Sequence, residues 1–280
     1  MDKLKLAPLE SRRTTTWHSL RRLGDWVLSV LALMVIALLL LLLPGDLLDK
    51  ADRIGYAVCH QIPTRTYFFG GRPLPLCARC SGTYLGGLSG IWLILVLGRT
   101  RSHRWPPPGV LLVLLSFLFL WGVDGLNSFL TFFPGLPHLY ETRNILRLIT
   151  GTMEGLTLVA LITPFFNVTL WRHTTKDRTI RNGRELVVWL LMGAGVILAV
   201  QSQWETLLYP LALFSGLGVV TMMTLVNTMI VTIASRRDGL AERWHQAVPL
   251  LLAGTALSLL ELVVIGVGRA LLTQALRLPF

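Results

Sequence analysis

The stretch from Cys59 to Gly82, "CHQIPTRTYFFGGRPLPLCARCSG", holds every cysteine of a 280-residue chain, together with a histidine and three arginines. Thiolate and imidazole are the donors zinc prefers, and a Cys₃His set is one of its usual closed tetrahedral environments. Cys59, His60, Cys77 and Cys80 are therefore the candidate ligands, and Zn²⁺ the candidate cofactor. Pro73 and Pro75 hold the chain extended up to Cys77. A helix starting there puts Cys77 and Cys80, three residues apart, on one face of its first turn. Between two bulky runs, Gly70 and Gly71 read as a two-residue hairpin turn that folds Cys59 and His60 back towards that face.

Two other chemistries remain open for the same residues. On an oxidising face, two of the cysteines would form a structural disulfide and leave the third free. Alternatively, a thiol at a helix N-terminus beside Arg79 ionises readily, which suits thiol–disulfide exchange with a quinone-like membrane carrier. Adjacent residues rarely turn both side chains onto one ion, so Cys59 and His60 are the less regular half of the metal set. Covalent haem is disfavoured, because Ser81 stands where the histidine after Cys-x-x-Cys is required.

The elements that must position these groups are membrane helices. The chain is 53% hydrophobic and 15% charged, against about a quarter charged in an ordinary soluble domain. Uncharged runs at Trp26 to Leu43, Cys80 to Gly98, Gly109 to Val123, Gly155 to Trp171, Leu186 to Gln203, Thr206 to Ser235 and Gln246 to Gly268 give about seven spans, once the third, fourth and seventh each admit one acid. The fold class is an all-α polytopic transmembrane bundle, read as one membrane domain over residues 1–280. Within it lie a basic arm (1–22), a Cys/His loop (44–79) and three additional spans (185–280). The first run exceeds the usual signal-peptide core and lacks a small-residue cleavage site, so it reads as a retained anchor.

With the N-terminus cytoplasmic and the C-terminus extracytoplasmic, the inner segments carry 17 of the 26 lysines and arginines and the outer segments nine, as the positive-inside rule requires. Five of those nine fall between Lys50 and Arg79. The one outer loop that resists the rule is the cysteine loop, and its arginines need another explanation. The net charge of +11 is spread over short inner loops without a nucleic-acid recognition motif. The partner it implies is the lipid bilayer of the cell membrane, with no nucleic acid.

Inside the spans, Gly82, Gly86 and Gly90 recur every fourth residue and favour close helix packing in lipid. Gly151 and Gly155 offer a matching face on the fourth span. Asp124 near the outer end of the third span lies at a depth similar to Arg147, and a charge there needs a partner. Either the two form an ion pair, or Arg79, Asp124, Asn144, Arg147 and Glu154 line a polar cavity under the cysteine loop. Glu261, eight residues before Arg269 in the seventh span, either extends that cavity or pairs locally.

The motifs "CHQ.P.R", "PLCARCSGTYLG", "DG" in the next span and "N..R...G...G" after it resemble a family of predicted prokaryotic integral-membrane proteins classed as a domain of unknown function. The matching positions are Cys59, His60, Gln61, Pro63 and Arg65; Pro75 to Cys80, Gly82, Tyr84 and Gly86; Asp124 and Gly125; and Asn144, Arg147, Gly151 and Gly155. The resemblance covers about residues 55–160 and implies no activity. Three functions follow as expectations: a protein with an extracytoplasmic Cys/His zinc site, a thiol–disulfide oxidoreductase coupled to quinone, or a transporter of a small solute, anion or proton. Enzymatic activity and substrate are left open.

Overall fold

The computed structural model describes residues 7–42, 45–133 and 135–276. Eight helices fall among them: α1 (Ala7–Leu42), α2 (Leu47–Val58), α3 (Ala78–Val96), α4 (Pro108–Leu130), α5 (Asn144–Leu170), α6 (Gly183–Gln201), α7 (Leu208–Ala234) and α8 (Trp244–Leu276). Six of them, α1 and α4 to α8, are long and apolar enough to cross a membrane. At 19 residues α3 has a spanning length as well, but glycines and hydroxyls in its first half dilute its hydropathy. The protein is an all-α membrane bundle. Helix α1 runs on from its apolar part into the basic segment, and residues 1–6 of the expected arm lie outside the described residues.

The centre of the bundle is the α3–α5 pair, which sits where the sequence places its two glycine faces. A Cβ at Gly82 would lie 2.5 Å from the Leu148 carbonyl, and one at Gly86 2.7 Å from that of Thr152. In return, Gly151 and Gly155 would strike the carbonyls of Arg79 and Thr83. Backbone meets backbone along two turns, the arrangement that small residues permit in lipid. Over half of α5 is enclosed (56%), against 6% of the apolar part of α1, so α5 is the axis and α1 a lipid-facing flank. Helix α7 closes a third side, with Gly218 against the Tyr84 carbonyl.

Helix α2 was not anticipated; the sequence reads residues 44–79 as a loop. Asp46 accepts from the Asp49 N–H at 2.8 Å and Asp49 returns a bond to the Asp46 N–H at 3.1 Å, a reciprocal cap that fixes the helix start. Its buried residues Leu48, Ala51 and Gly55 share one face, and Ala57 is buried on the other. The connection also contains a 3₁₀ turn at Pro63–Arg65 and the hairpin β1 (Phe68–Phe69) and β2 (Arg72–Pro73). Gly70 and Gly71 make its turn, both at positive φ (56° and 84°), which glycine adopts without penalty. Phe69, Leu74 and Leu76 are fully enclosed. They weld the connection to the bundle.

At the opposite end, β3 (Ser102–Arg104) and β4 (Thr175–Arg178) pair in parallel, and Trp171 bridges to Ala241. Loops far apart in sequence are thus knitted into a rigid cap.

Candidate functional site

Each thiol is positioned by a different local device. Cys59 ends α2, its N–H bonded to the Gly55 carbonyl at 2.8 Å. Gln61 takes a left-handed conformation (φ 52°) that turns its amide inward to donate to the Asp52 carbonyl at 3.0 Å and the Pro75 carbonyl at 2.8 Å. One side chain thereby clamps the end of α2 to the segment leading into α3. Cys77 caps α3, and its N–H points at Cys59 Sγ, 3.2 Å away. Cys80 follows one turn later in α3, and the adjacent Ser81 hydroxyl bonds back to the Leu76 carbonyl at 3.1 Å.

The three sulfurs lie within 4.8 Å of one another, and none is in a disulfide. Three sulfurs on a tetrahedral zinc, at about 2.3 Å each, would be about 3.8 Å apart. Cys59 belongs to an apolar cluster with Ala57, Leu76, Val219, Leu259 and Leu262, and Cys77 and Cys80 pack against the same cluster. Hydrogen bonds with Cys59 and then Cys80 hold the Cys77 thiol well below its ordinary value. The arrangement favours a thiolate at the head of α3, where the helix N-terminus also favours negative charge.

His60 is not part of this group. It is exposed, and only its carbonyl is engaged, by Arg269 at 3.3 Å. The cause is the extended backbone at Cys59, which sends consecutive side chains to opposite sides. Arg269 also donates to the Tyr56 carbonyl at 2.5 Å and to that of Cys59, and stacks on the Tyr56 ring. Helix α8 thus fastens the end of α2 beside the thiols. Glu261 stands apart, accepting from Asn227 at 2.6 Å.

Of the sequence-derived polar residues, Arg79, Asp124, Asn144 and Arg147 form one hydrogen-bonded group around Ser128, with pairings other than the expected one, and Glu154 stands apart from it. Asp124 pairs with Arg79 and not with Arg147. Arg79 sits on the first turn of α3, directly across from the end of α4, and reaches Asp124 before Arg147 can. Its Nη2 also donates to the Asp124 carbonyl at 3.0 Å and to Ser128 Oγ at 2.9 Å, and Tyr140 donates to the other Asp124 oxygen at 2.7 Å. Arg147, 5% exposed, donates instead to Ser128 Oγ at 3.3 Å, Asn144 Oδ1 at 2.9 Å and Thr142. Glu154 accepts from Thr83 at 2.6 Å.

A further arginine, absent from the sequence-derived site although it lies in the family motif, joins this group. Arg65, on the 3₁₀ turn, donates to the Ser128 carbonyl at 3.1 Å and to Thr131 at 3.0 Å, and lies 4.0 Å over the Phe132 ring. Burial and then the neighbouring Arg79 charge push its guanidinium down from the ordinary value. The signal for it was the excess of positive charge in an outer loop. Of the others in that loop, Arg72 is spoken for by Asp52 at 2.9 Å and Asp49 at 3.4 Å.

A polytopic helical bundle with a partly buried three-thiol cluster at one end defines the class of this protein. The chain belongs to the predicted membrane protein family DUF2085, whose model matches residues 59–161. It is similar to an uncharacterised protein of Methanocaldococcus jannaschii, 34% identical over 109 residues, which is 39% of this chain and 64% of the relative. An uncharacterised protein of Methanothermobacter thermautotrophicus is 31% identical over 104 residues, 37% of this chain and 83% of that relative. The chain therefore spans just under two thirds of the first relative's length. No solved structure matches. The matched stretch contains all three cysteines and Arg65, Arg79, Asp124, Arg147 and Glu154, whereas α6 to α8, Glu261 and Arg269 lie outside it.

Proposed function

We propose that this is a multi-pass protein of the cell membrane in which Cys59, Cys77 and Cys80 bind one transition-metal ion, Zn²⁺ by donor type, at the extracytoplasmic mouth. The observation that carries this reading is the approach of three free sulfurs to within 4.8 Å of one another. Three thiols from two separate segments do not gather in an apolar shell without a reason, and thiolate coordination supplies one. His60 stands off, so the protein provides three donors. The fourth position is left to water or a substrate, which is the condition for Lewis-acid chemistry rather than a purely structural role. The residues of the chain hold the ion, order its donors through Gln61 and Arg269, and exclude bulk water with Leu76, Val219 and Leu259.

Elemental analysis of protein purified under reducing conditions tests the reading. One zinc per chain is expected, falling to near zero in Cys77→Ser and Cys80→Ser; a metal-free wild type would refute it.

A second reading, thiol–disulfide exchange with a membrane electron carrier, draws support from the thiolate character of Cys77 at the head of α3. It predicts that thiol alkylation in isolated membranes follows the oxidation state of the quinone pool. A thiol count unaffected by that pool removes this reading and leaves the metal.

A further inference from the structure

We infer that Arg65, Arg79 and Arg147 form a receptor for a phosphate group beside the thiol cluster. The three come from separate elements, the 3₁₀ turn and the first turns of α3 and α5, yet all converge on one residue near the end of α4. Arg79 and Arg147 share Ser128 Oγ, at 2.9 and 3.3 Å, and Arg65 holds the Ser128 carbonyl at 3.1 Å. Among the described residues, the sole carboxylate in ion-pair contact with any of them is Asp124, which Arg79 occupies. Two guanidiniums, one of them 95% buried, are thus gathered with only neutral partners.

Like charges do not collect at the edge of a membrane domain without compensation, because desolvation and mutual repulsion both oppose it. Neutral hydroxyls and carbonyls orient guanidiniums but do not cancel their charge. The thiol site does not balance it either: a zinc ion on three thiolates carries one net negative charge, which leaves the neighbourhood positive. The missing component is an anion. Several guanidiniums arranged around one point present planar forks of donors to a tetrahedral oxyanion. Some positive charge is thus left over after Asp124 and the thiol site, and the several acceptor oxygens of a phosphate match more than one guanidinium fork better than a single carboxylate does. Arg79 Nε is buried with no partner among the described residues, as Arg99 Nε is at the other end, so it is the uncancelled charge that points to the anion. The phosphate is carried either by a soluble molecule or by a lipid headgroup, which lies at this depth.

The test uses the full chain in phosphatidylcholine nanodiscs. In one arm inorganic phosphate is titrated calorimetrically; in the other, discs also contain phosphatidic acid, and retained lipid is read by native mass spectrometry. Wild type is expected to bind in at least one arm, and the arm that responds names the source of the phosphate. Arg65→Gln, at the half-buried rim, should weaken binding at least about tenfold, the worth of one or two charge-assisted hydrogen bonds. Arg65→Lys should recover only part of it, since lysine lacks the fork.

Zinc content in Arg65→Gln should stay at the wild-type level, and phosphate binding should persist in Cys77→Ser, so failure of the metal reading and failure of this one are separable. If Arg65→Gln does not fold, protection of wild-type Arg65 from phenylglyoxal by phosphate or phosphatidic acid is the substitute readout. Absence of binding in both arms, undiminished binding in Arg65→Gln, or an unprotected Arg65 overturns the proposal.

Discussion

The two ends of the α3–α5 pair solve the same problem in opposite ways. At the end away from the thiols, Arg99 is 4% exposed and meets two carboxylates, Glu185 at 2.8 Å and Asp177 at 3.4 Å. Asn167 ties the same corner to the Ser102 carbonyl at 2.8 Å, and β3 and β4 close over it. At the thiol end, the one carboxylate, Asp124, meets only Arg79 of the three guanidiniums, and three cysteines face one another outside any disulfide. Arg99 and Arg79 each keep a buried Nε without a partner, so a count of free donors does not distinguish the ends. Charge balance does. A corner whose buried cation is met by carboxylates of the chain is complete as scaffold, while on the proposed reading the corner with uncancelled charges and free thiols is where ligands belong.

The largest effect expected is on metal. Cys77→Ser and Cys80→Ser should each take bound zinc from one equivalent to near none, as read by elemental analysis, because two thiolates and a hydroxyl no longer make a competent set. Arg99→Met at the other end should leave the zinc content unchanged. Loss of metal in the inner variant would mean that the two ends are not independent. Next comes the junction that serves both. Gly155→Leu drives a side chain into the Thr83 carbonyl, and overpacking of this kind costs about 1–3 kcal/mol or more. A clear drop in melting temperature should appear, together with loss of zinc, since α5 then pushes α3 away from Cys59. An intact zinc site would show that α3 is held mainly by α7.

Much of this was legible from residue spacing, and the part that was not has a physical pattern. Local signals carried: the Gly70–Gly71 turn, the proline-held approach to Cys77 and the pairing of the two glycine faces all follow from short-range chemistry. Convergence of Cys59 with Cys77 and Cys80 was readable because a hairpin and a helix start are both local. Helix α2 was missed: its signal, Asp46 and Asp49 as a reciprocal cap with Leu48, Ala51 and Gly55 on one face, is disguised as loop by its charged residues. The long side chains were not readable. Arg79 reaches Asp124 because it is extended and correctly placed on α3, whereas depth alone favours Arg147. Arg269 caps α2 more than 200 positions away, and β3 meets β4 across a whole helical hairpin; neither contact leaves a trace in spacing. His60 fell out because one extended residue reverses the side on which its neighbour emerges.

The smallest effects bear most directly on the comparison, because their signs differ. Arg99→Met leaves Glu185 without its cation while Asp177 keeps Arg181 at 2.9 Å, and breaking a buried pair from one side costs about 3–5 kcal/mol. Glu185 is only partly enclosed, at 19% exposure of the side chain, so solvent returns some of that cost and about 2 kcal/mol is the expected loss. Arg65→Met at the thiol end removes two hydrogen bonds and a stacking contact, worth about 1 kcal/mol each at most. It also relieves repulsion with Arg79 and Arg147, which acts in the opposite direction. Without phosphate, its melting temperature should therefore fall within a degree or two of the wild type, or above it. Adding phosphate or phosphatidic acid should stabilise the wild type and leave Arg65→Met behind, opening a gap where none existed. Should Arg65→Met instead prove as destabilised as Arg99→Met in the absence of any anion, Arg65 is a structural brace, and the two ends differ in their partners but not in their purpose.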